Sequence, residues 1–200
     1  MSWEEDDVEP ALGVVLDEGR GSLPYAVVHG EALVFCAAAA LEAAGVRAVD
    51  AGTPWEHVRE AGADLVLHDA LCPLAPPAFL AECLAVARRD DVAVVAVRPV
   101  TDTVRTSGPG DPPRLGELLD REALVAVASP VVLPASVVAS YDGWPPADVV
   151  ALVASLRERT TPVLLEAPAV ARRVTGPDDL RVLEAVSAAD AAAVPVSDEA

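Results

Sequence analysis

The chain has 200 residues, a formal net charge of −18, and 52% apolar residues that are mostly Ala, Val and Leu. That length suits one domain with a sizeable core. The acidity argues against nucleic acid or an anionic membrane surface as a partner. All 14 cations are arginines, and lysine, isoleucine, asparagine and glutamine do not occur. The four absent types share AT-rich codons, so GC pressure on the gene accounts for the bias without selection on function. Arginine then has to do whatever lysine would have done, as a planar fork rather than a point charge. A small phosphate ligand stays compatible with the acidity, because local arginines outweigh a distant field within about 10 Å.

In chain order, residues 1–10 read as a disordered acidic lead, not as a basic-then-apolar signal sequence. Ala11–Leu16 suits a first buried strand, and the Gly- and Pro-containing stretch Asp17–Pro24 a loop. Glu31–Ala44 predicts an Ala-rich helix closed by Gly45. Val46–Asp50 predicts a second strand, and Thr53–Glu60 a short helix capped by Thr53. Ala63–Leu67 reads as a third strand, Pro77–Arg88 as a helix, and Asp91–Arg98 as a β-branched strand. Residues 101–120 are polar and rich in Pro and Gly, as expected of an excursion from the core. Leu124–Val127 and Pro162–Leu165 complete the strands; Pro134–Ser140, Pro146–Arg159 and Pro177–Ser187 complete the helices. Residues 188–200 read as a disordered acidic tail, which leaves 11–187 as the single folded domain. Strands alternating with helices imply a mostly parallel sheet covered on both faces. The longest apolar run, Ala32–Leu41, is too short to span a bilayer. Cys36, Cys72 and Cys83 are odd in number and unpaired in spacing, which points to a reducing cytoplasm.

Polar residues stand where apolar runs end, the place at which an open α/β sheet builds its ligand crevice. After the first strand comes Gly19-Arg20-Gly21-Ser22-Leu23-Pro24-Tyr25, preceded by Asp17 and Glu18. It is either a cradle for phosphates or a plain strand-to-helix turn. His68-Asp69-Ala70-Leu71-Cys72-Pro73 follows the third strand, and Asp69 is an oxygen ligand suited to Mg2+ or a cap on the turn before Pro73. Pro99-Val100-Thr101-Asp102-Thr103-Val104 follows the next strand, with Asp102 a substrate contact or the head of an Asx turn. Arg121 follows the excursion, and Arg172-Arg173-Val174-Thr175-Gly176-Pro177 leads into the last helix, where Thr175 and Pro177 suit a helix start.

Taken together these segments resemble the 2-C-methyl-D-erythritol 4-phosphate cytidylyltransferases. His68–Pro73 is similar to that family's His-Asp-Ala-Ala-Arg-Pro with Cys72 in place of the arginine, and Pro99–Arg105 to its Pro-Val-x-Asp-Thr-(apolar)-Lys. Arg173–Leu180 is similar to its Lys-(apolar)-Thr-x-Pro-Glu-Asp-Leu. The front loop departs most: it is short, and Tyr25 stands where a lysine is expected. Ser129-Pro130-Val131 lacks the glutamine of the family's Thr-Pro-Gln.

The resemblance implies a three-layer, Rossmann-like nucleotidyltransferase fold with a shortened β-arm over about 101–120. It implies cytidylyl transfer from CTP to a sugar-alcohol phosphate, 2-C-methyl-D-erythritol 4-phosphate, with Mg2+ as cofactor and a homodimer built through the arm. Arg20 and Arg173 would be catalytic. Gly19, Gly21 and Asp69 would hold the nucleotide, Asp69 the metal, and Asp102, Thr103 and Arg121 the acceptor. The eroded front loop keeps two other readings open: a non-catalytic relative that binds a phosphate ligand or a partner, and a transferase for another sugar nucleotide.

Overall fold

The computed structural model describes residues 10–193, with side-chain surroundings through residue 188; most of the expected acidic lead and residues 194–200 of the expected tail lie outside the described residues. Strand β1 is Leu12–Leu16, followed by a 3-10 turn at Leu23–Tyr25 and a small hairpin of β2 (Val27–Val28) and β3 (Glu31–Ala32). Helix α1 (Leu33–Ala43) therefore starts two residues later than expected, because Glu31 and Ala32 pair with β2. It ends as its sequence dictates, with Gly45 at φ +76° and the Val46 N–H returning to the Leu41 carbonyl at 3.1 Å. Strand β4 shrinks to Arg47–Ala48, and helix α2 spans Trp55–Glu60. Thr53 does not cap α2. Pro54 holds that position without a side-chain bond, and the Thr53 carbonyl accepts from Trp144 Nε1 at 2.9 Å.

Strand β5 (Leu65–Asp69) and β6 (Val94–Pro99) flank helix α3 (Pro77–Asp90) in sequence. The expected excursion is an antiparallel ribbon, β7 (Arg105–Gly108) with β8 (Arg114–Leu118). Strand β9 runs from Val125 to Leu133, more than twice the length its sequence suggests, since Ser129-Pro130 sits inside it. Short helix α4 (Ala135–Val138) and helix α5 (Val149–Arg157) follow, with Asp148 capping α5 through the Val150 and Ala151 N–H groups. Strand β10 is Val163–Glu166. Helix α6 runs from Pro177 to Ala193, past Ser187, so residues 188–193 of the expected tail are helical.

The six-stranded sheet has the order β10-β6-β9-β5-β1-β4, and every pairing is parallel except those of β9 with β5 and β6. One face buries Leu41, Val66, Leu80, Cys83, Val94 and Val132 beneath α1 and α3; the other buries Leu12, Leu65, Val95, Leu133, Leu152 and Leu156 beneath α2 and α5. A smaller cluster of Val28, Leu33, Leu71, Val174 and Leu183 fastens α6 to the front hairpin. Because β1, β5, β6 and β10 run the same way, their exits share one edge. Antiparallel β9 starts at that edge too, which brings Arg121 to it.

Candidate functional site in the crevice at the strand exits

Asp69 ends β5 and sits almost wholly out of water, its side chain 5% exposed. Burying a lone carboxylate would cost several kcal/mol, so partners have to be close. Arg20 supplies a two-pronged contact, Nε to Oδ1 at 2.8 Å and Nη2 to Oδ2 at 3.0 Å. The Leu71 N–H donates to Oδ1 at 2.9 Å, and Arg173 Nη1 donates to Oδ2. Burial works to raise the Asp69 carboxyl. The Arg20 hydrogen bond, the Leu71 amide and the Arg173 charge outweigh it and hold the group below the usual carboxylate range.

The two arginines are held differently. Arg20 is 6% exposed and also donates to the carbonyls of Glu18 and, at 3.2 Å, Ala147, which ties the front loop to the approach of α5. Arg173 is 33% exposed, and Asp69 is its one hydrogen-bond partner among the described residues. It reaches β5 from beyond β10 because residues 167–174 cross the sheet edge. Ala167 N–H is bonded to Val97 O at 2.8 Å at one end of the crossing, and Val174 N–H to Leu71 O at 2.7 Å at the other. Arg98 Nη1 donates to Ala167 O at 3.1 Å and steadies the strap.

Gly19 and Gly21 flank Arg20 at φ +72° and +60°, backbone that side chains resist, with nothing near either position. The loop is thus shaped by its glycines, while its charge is mixed. Asp17 accepts from the Tyr25 hydroxyl at 3.3 Å, and Tyr25 itself is 61% exposed. A cleft of about 300 Å³ beside this loop is lined by Leu16, Asp17, Glu18, Ala51, Trp144 and Ala147 among others.

The acceptor-side residues lie further along the same edge. Arg121 borders a cleft of about 420 Å³ with Pro99, Thr101, Glu122, Leu124 and Glu166, and donates to Thr101 O at 2.7 Å. Asp102 and Thr103 are exposed and line neither cleft; the Asx turn considered for Asp102 is not formed. The structure therefore joins Arg20, Asp69 and Arg173 directly, keeps Gly19 and Gly21 beside them, and leaves Asp102 and Thr103 apart from any side-chain cluster.

Ser129 and His68, which sequence does not link, back the site. Ser129 Oγ meets His68 Nδ1 at 2.6 Å and the Asp69 N–H at 2.9 Å. His68 is fully buried, its Nε2 has no partner among the described residues, and burial lowers its pKa to about 4 against a weaker opposing pull from Asp69. Cys72, where the related motif has arginine, is buried with its thiol pushed up to about 12, first by burial and then by Asp69. Neither group is poised for chemistry.

A carboxylate offers about four lone-pair positions, and Arg20, Leu71 and Arg173 fill them. Among the described residues no group of three or more His, Cys, Asp or Glu could hold a metal ion. Asp69 is the counter-ion of two guanidinium groups in this structure. Nor is any described helix long and apolar enough to cross a membrane.

No protein-family model and no curated protein sequence matches the chain. Solved structures do. That of 2-C-methyl-D-erythritol 4-phosphate cytidylyltransferase from Thermus thermophilus is similar at a TM-score of 0.64 and 23% identity, over 88% of this chain and 98% of that one. That of 4-diphosphocytidyl-2C-methyl-D-erythritol synthase from Anaerococcus prevotii is similar at 0.61 and 12% identity, over 90% and 96%. The helix-flanked, mostly parallel sheet with its short ribbon is the fold of the 2-C-methyl-D-erythritol 4-phosphate cytidylyltransferases, carried here at low sequence identity.

Proposed function

We propose that the chain transfers a cytidylyl group from CTP to 2-C-methyl-D-erythritol 4-phosphate. The observation that carries the reading is the meeting of Arg20 and Arg173 at the exit of β5, next to the Gly19–Gly21 loop, in a fold shared with enzymes named for that reaction. The acceptor's phosphate oxygen attacks the α-phosphorus; the new P–O bond forms as the bond to the β-phosphate oxygen breaks, and pyrophosphate leaves. Such a displacement needs alignment and charge neutralisation more than covalent help. Arg20 and Arg173 supply two positive charges at the donor end, and the glycines let the backbone come close. Arg121, beside the second cleft, is the cation for the acceptor phosphate, with Asp102 and Thr103 on the loop that leads to the arm.

The ribbon β7–β8 exposes Leu115 (78%) and Leu118 (60%), apolar surface that a second copy would cover, which supports the homodimer. The three free cysteines support a cytoplasmic placement.

Incubation with CTP and the methylerythritol phosphate, with pyrophosphate release as readout, tests the assignment. Release that falls at least a hundredfold in Arg173→Ala is expected. Consumption of a different nucleotide would move the assignment to another sugar-nucleotide transferase. One feature favours a non-catalytic relative: the arginines are matched by Asp69, and Tyr25 brings no charge where lysine is expected. Acceptor binding by calorimetry with no release would establish that alternative.

A further inference from the structure

Helix α5 covers only part of the sheet face it packs on. Leu164 pairs with Val95, and Val97 with Val127, so these side chains and that of Val125 share the α5 side of the sheet. Leu164 is 51% exposed and Val125 48%, toward the edge of the sheet that β10 forms. Between this floor, Val153 of α5 and the turn Thr160-Thr161-Pro162 lies a cleft of about 530 Å³, within the size range of small-molecule sites. Its charge distinguishes it. The clefts at Arg121 and at the front loop both carry carboxylates, Glu122 with Glu166 in one and Asp17 with Glu18 in the other. No Asp or Glu lines the cleft under α5, and Arg157 does. Arg157 has no hydrogen-bond or ion-pair partner among the described residues; the adjacent Glu158 is paired instead with Arg159 at 3.9 Å. The Thr160 and Thr161 hydroxyls likewise have no partner among the described residues. None of the residues named for the crevice at the strand exits lines this cleft.

We propose that this cleft binds a medium-chain aliphatic carboxylate, its alkyl chain on the floor of Val97, Val125 and Leu164 and its carboxylate on Arg157. A floor of branched aliphatic side chains offers burial and nothing directional, which suits a flexible alkyl chain. One guanidinium fork matches one carboxylate edge and one negative charge. A dianionic phosphate ester would bring a second charge that no lining residue meets, in a chain whose net charge is already −18. The two threonine hydroxyls, three and four residues beyond Arg157, add donors at the same end. The site is separate from the proposed cytidylyl transfer and stands whether or not that reaction occurs. Val97 and Val125 also line the cleft at Arg121, so an occupant lies against one wall of the acceptor side.

The full chain is titrated calorimetrically at neutral pH with octanoate, hexanoate, 1-octanol and octyl phosphate, while the valine and leucine methyl resonances are followed by NMR. The expected result is one octanoate per chain, with methyl shifts confined to the surroundings of Val97, Val125 and Leu164. Hexanoate, two methylenes shorter, should bind about tenfold more weakly. Neither 1-octanol nor octyl phosphate should match octanoate. Arg157→Gln should weaken octanoate about fivefold and leave 1-octanol unchanged. Leu164→Asp should abolish the binding of both. Arg157 and Leu164 are exposed, so neither substitution threatens the core. Absence of octanoate binding, or shifts at Leu74 and Val170 in the apolar groove beside α1, would overturn the proposal. So would octanol or octyl phosphate binding as tightly as octanoate, or octanoate binding unchanged in Arg157→Gln. Self-association that Leu164→Asp abolishes and octanoate does not affect would also overturn it, giving this face to a second copy of the chain.

Discussion

His68 shows how one buried side chain makes the whole chain acid-sensitive. Its ring takes a hydrogen bond with Ser129 on one side and has no partner for Nε2 on the other, so the folded state holds it neutral. An unfolded histidine titrates near 6.5, while the folded one is pushed down to about 4. As pH falls between those values the unfolded chain binds a proton that the folded chain refuses, and stability is lost. The gap corresponds to about 3 kcal/mol at most. Urea midpoints measured from pH 7 to pH 4 should fall in wild type and fall much less in His68→Phe; parallel curves would show that His68 is not the source. Asp69 has the opposite history but the same sign below that window. Its folded value is depressed, so its contribution is present above the ordinary carboxylate range and is lost only on further acidification.

At the scale of elements, two glycines are required by close approach rather than by unusual backbone. Gly13 lies in β1, where a Cβ would come within 2.5 Å of Val46 Cγ1 and 3.3 Å of Leu41. Gly13→Ala should therefore destabilise the central sheet by about 1–3 kcal/mol through overpacking, read as a lower urea midpoint with unchanged slope. Gly116 lies in β8, where a Cβ would meet the Thr106 carbonyl oxygen at 2.6 Å and Thr106 Oγ1 at 2.2 Å. Gly116→Ala should force the ribbon apart while leaving the sheet intact. Sedimentation should then show a loss of the proposed dimer with the melting temperature of the domain shifted by no more than a few degrees; a dimer that persists unchanged would remove the ribbon from its interface.

The elements also show where sequence was enough. Gly45 and the Ala-rich run fix the end of α1, and the Pro- and Gly-rich stretch of 101–120 leaves the core as expected. The length of β9 was hidden because Pro130 reads as a strand breaker, and its reversed direction is a property of partners, not of its own residues. The start of α1 is not legible in sequence, because Glu31-Ala32 favours helix by propensity and is drawn into a hairpin by Val27 and Val28. In the site, Arg20, Asp69 and Arg173 were each legible as a polar residue at a strand exit or before a helix. That they bond to one another was not legible, since the pairs are 49 and 104 residues apart. Nor does a carboxylate in sequence reveal how many of its lone pairs accept hydrogen bonds in the fold, as all four do at Asp69. Ser129 carried no signal beyond its place next to Pro130, and the Ala147 carbonyl could carry none.

The whole molecule carries a charge of −18 with few cations to offset it. Self-repulsion at that charge opposes the compact state, and salt screens it over a Debye length that shortens from about 30 Å at 0.01 M to about 10 Å at 0.1 M. The melting temperature should therefore rise between 10 mM and 300 mM NaCl, whereas a chain held mainly by exposed ion pairs would show the reverse. Among the described residues, the surface pairs Arg89 with Asp90 and Arg181 with Asp178 are well exposed and contribute little.

The crossing strap has an effect on biosynthesis. Arg173 and the Val174 amide seal a crevice whose floor is laid down by Leu16 and Asp69. On the ribosome, a nascent chain can form β1 and β5 long before residue 173 emerges. For that interval Asp69 has Arg20 alone for a charge partner, and Leu71 lacks the apolar cover of Val174 and Leu183. Translation of the C-terminal quarter is thus the step that closes the crevice, and slow codons there would prolong the exposure of its apolar lining.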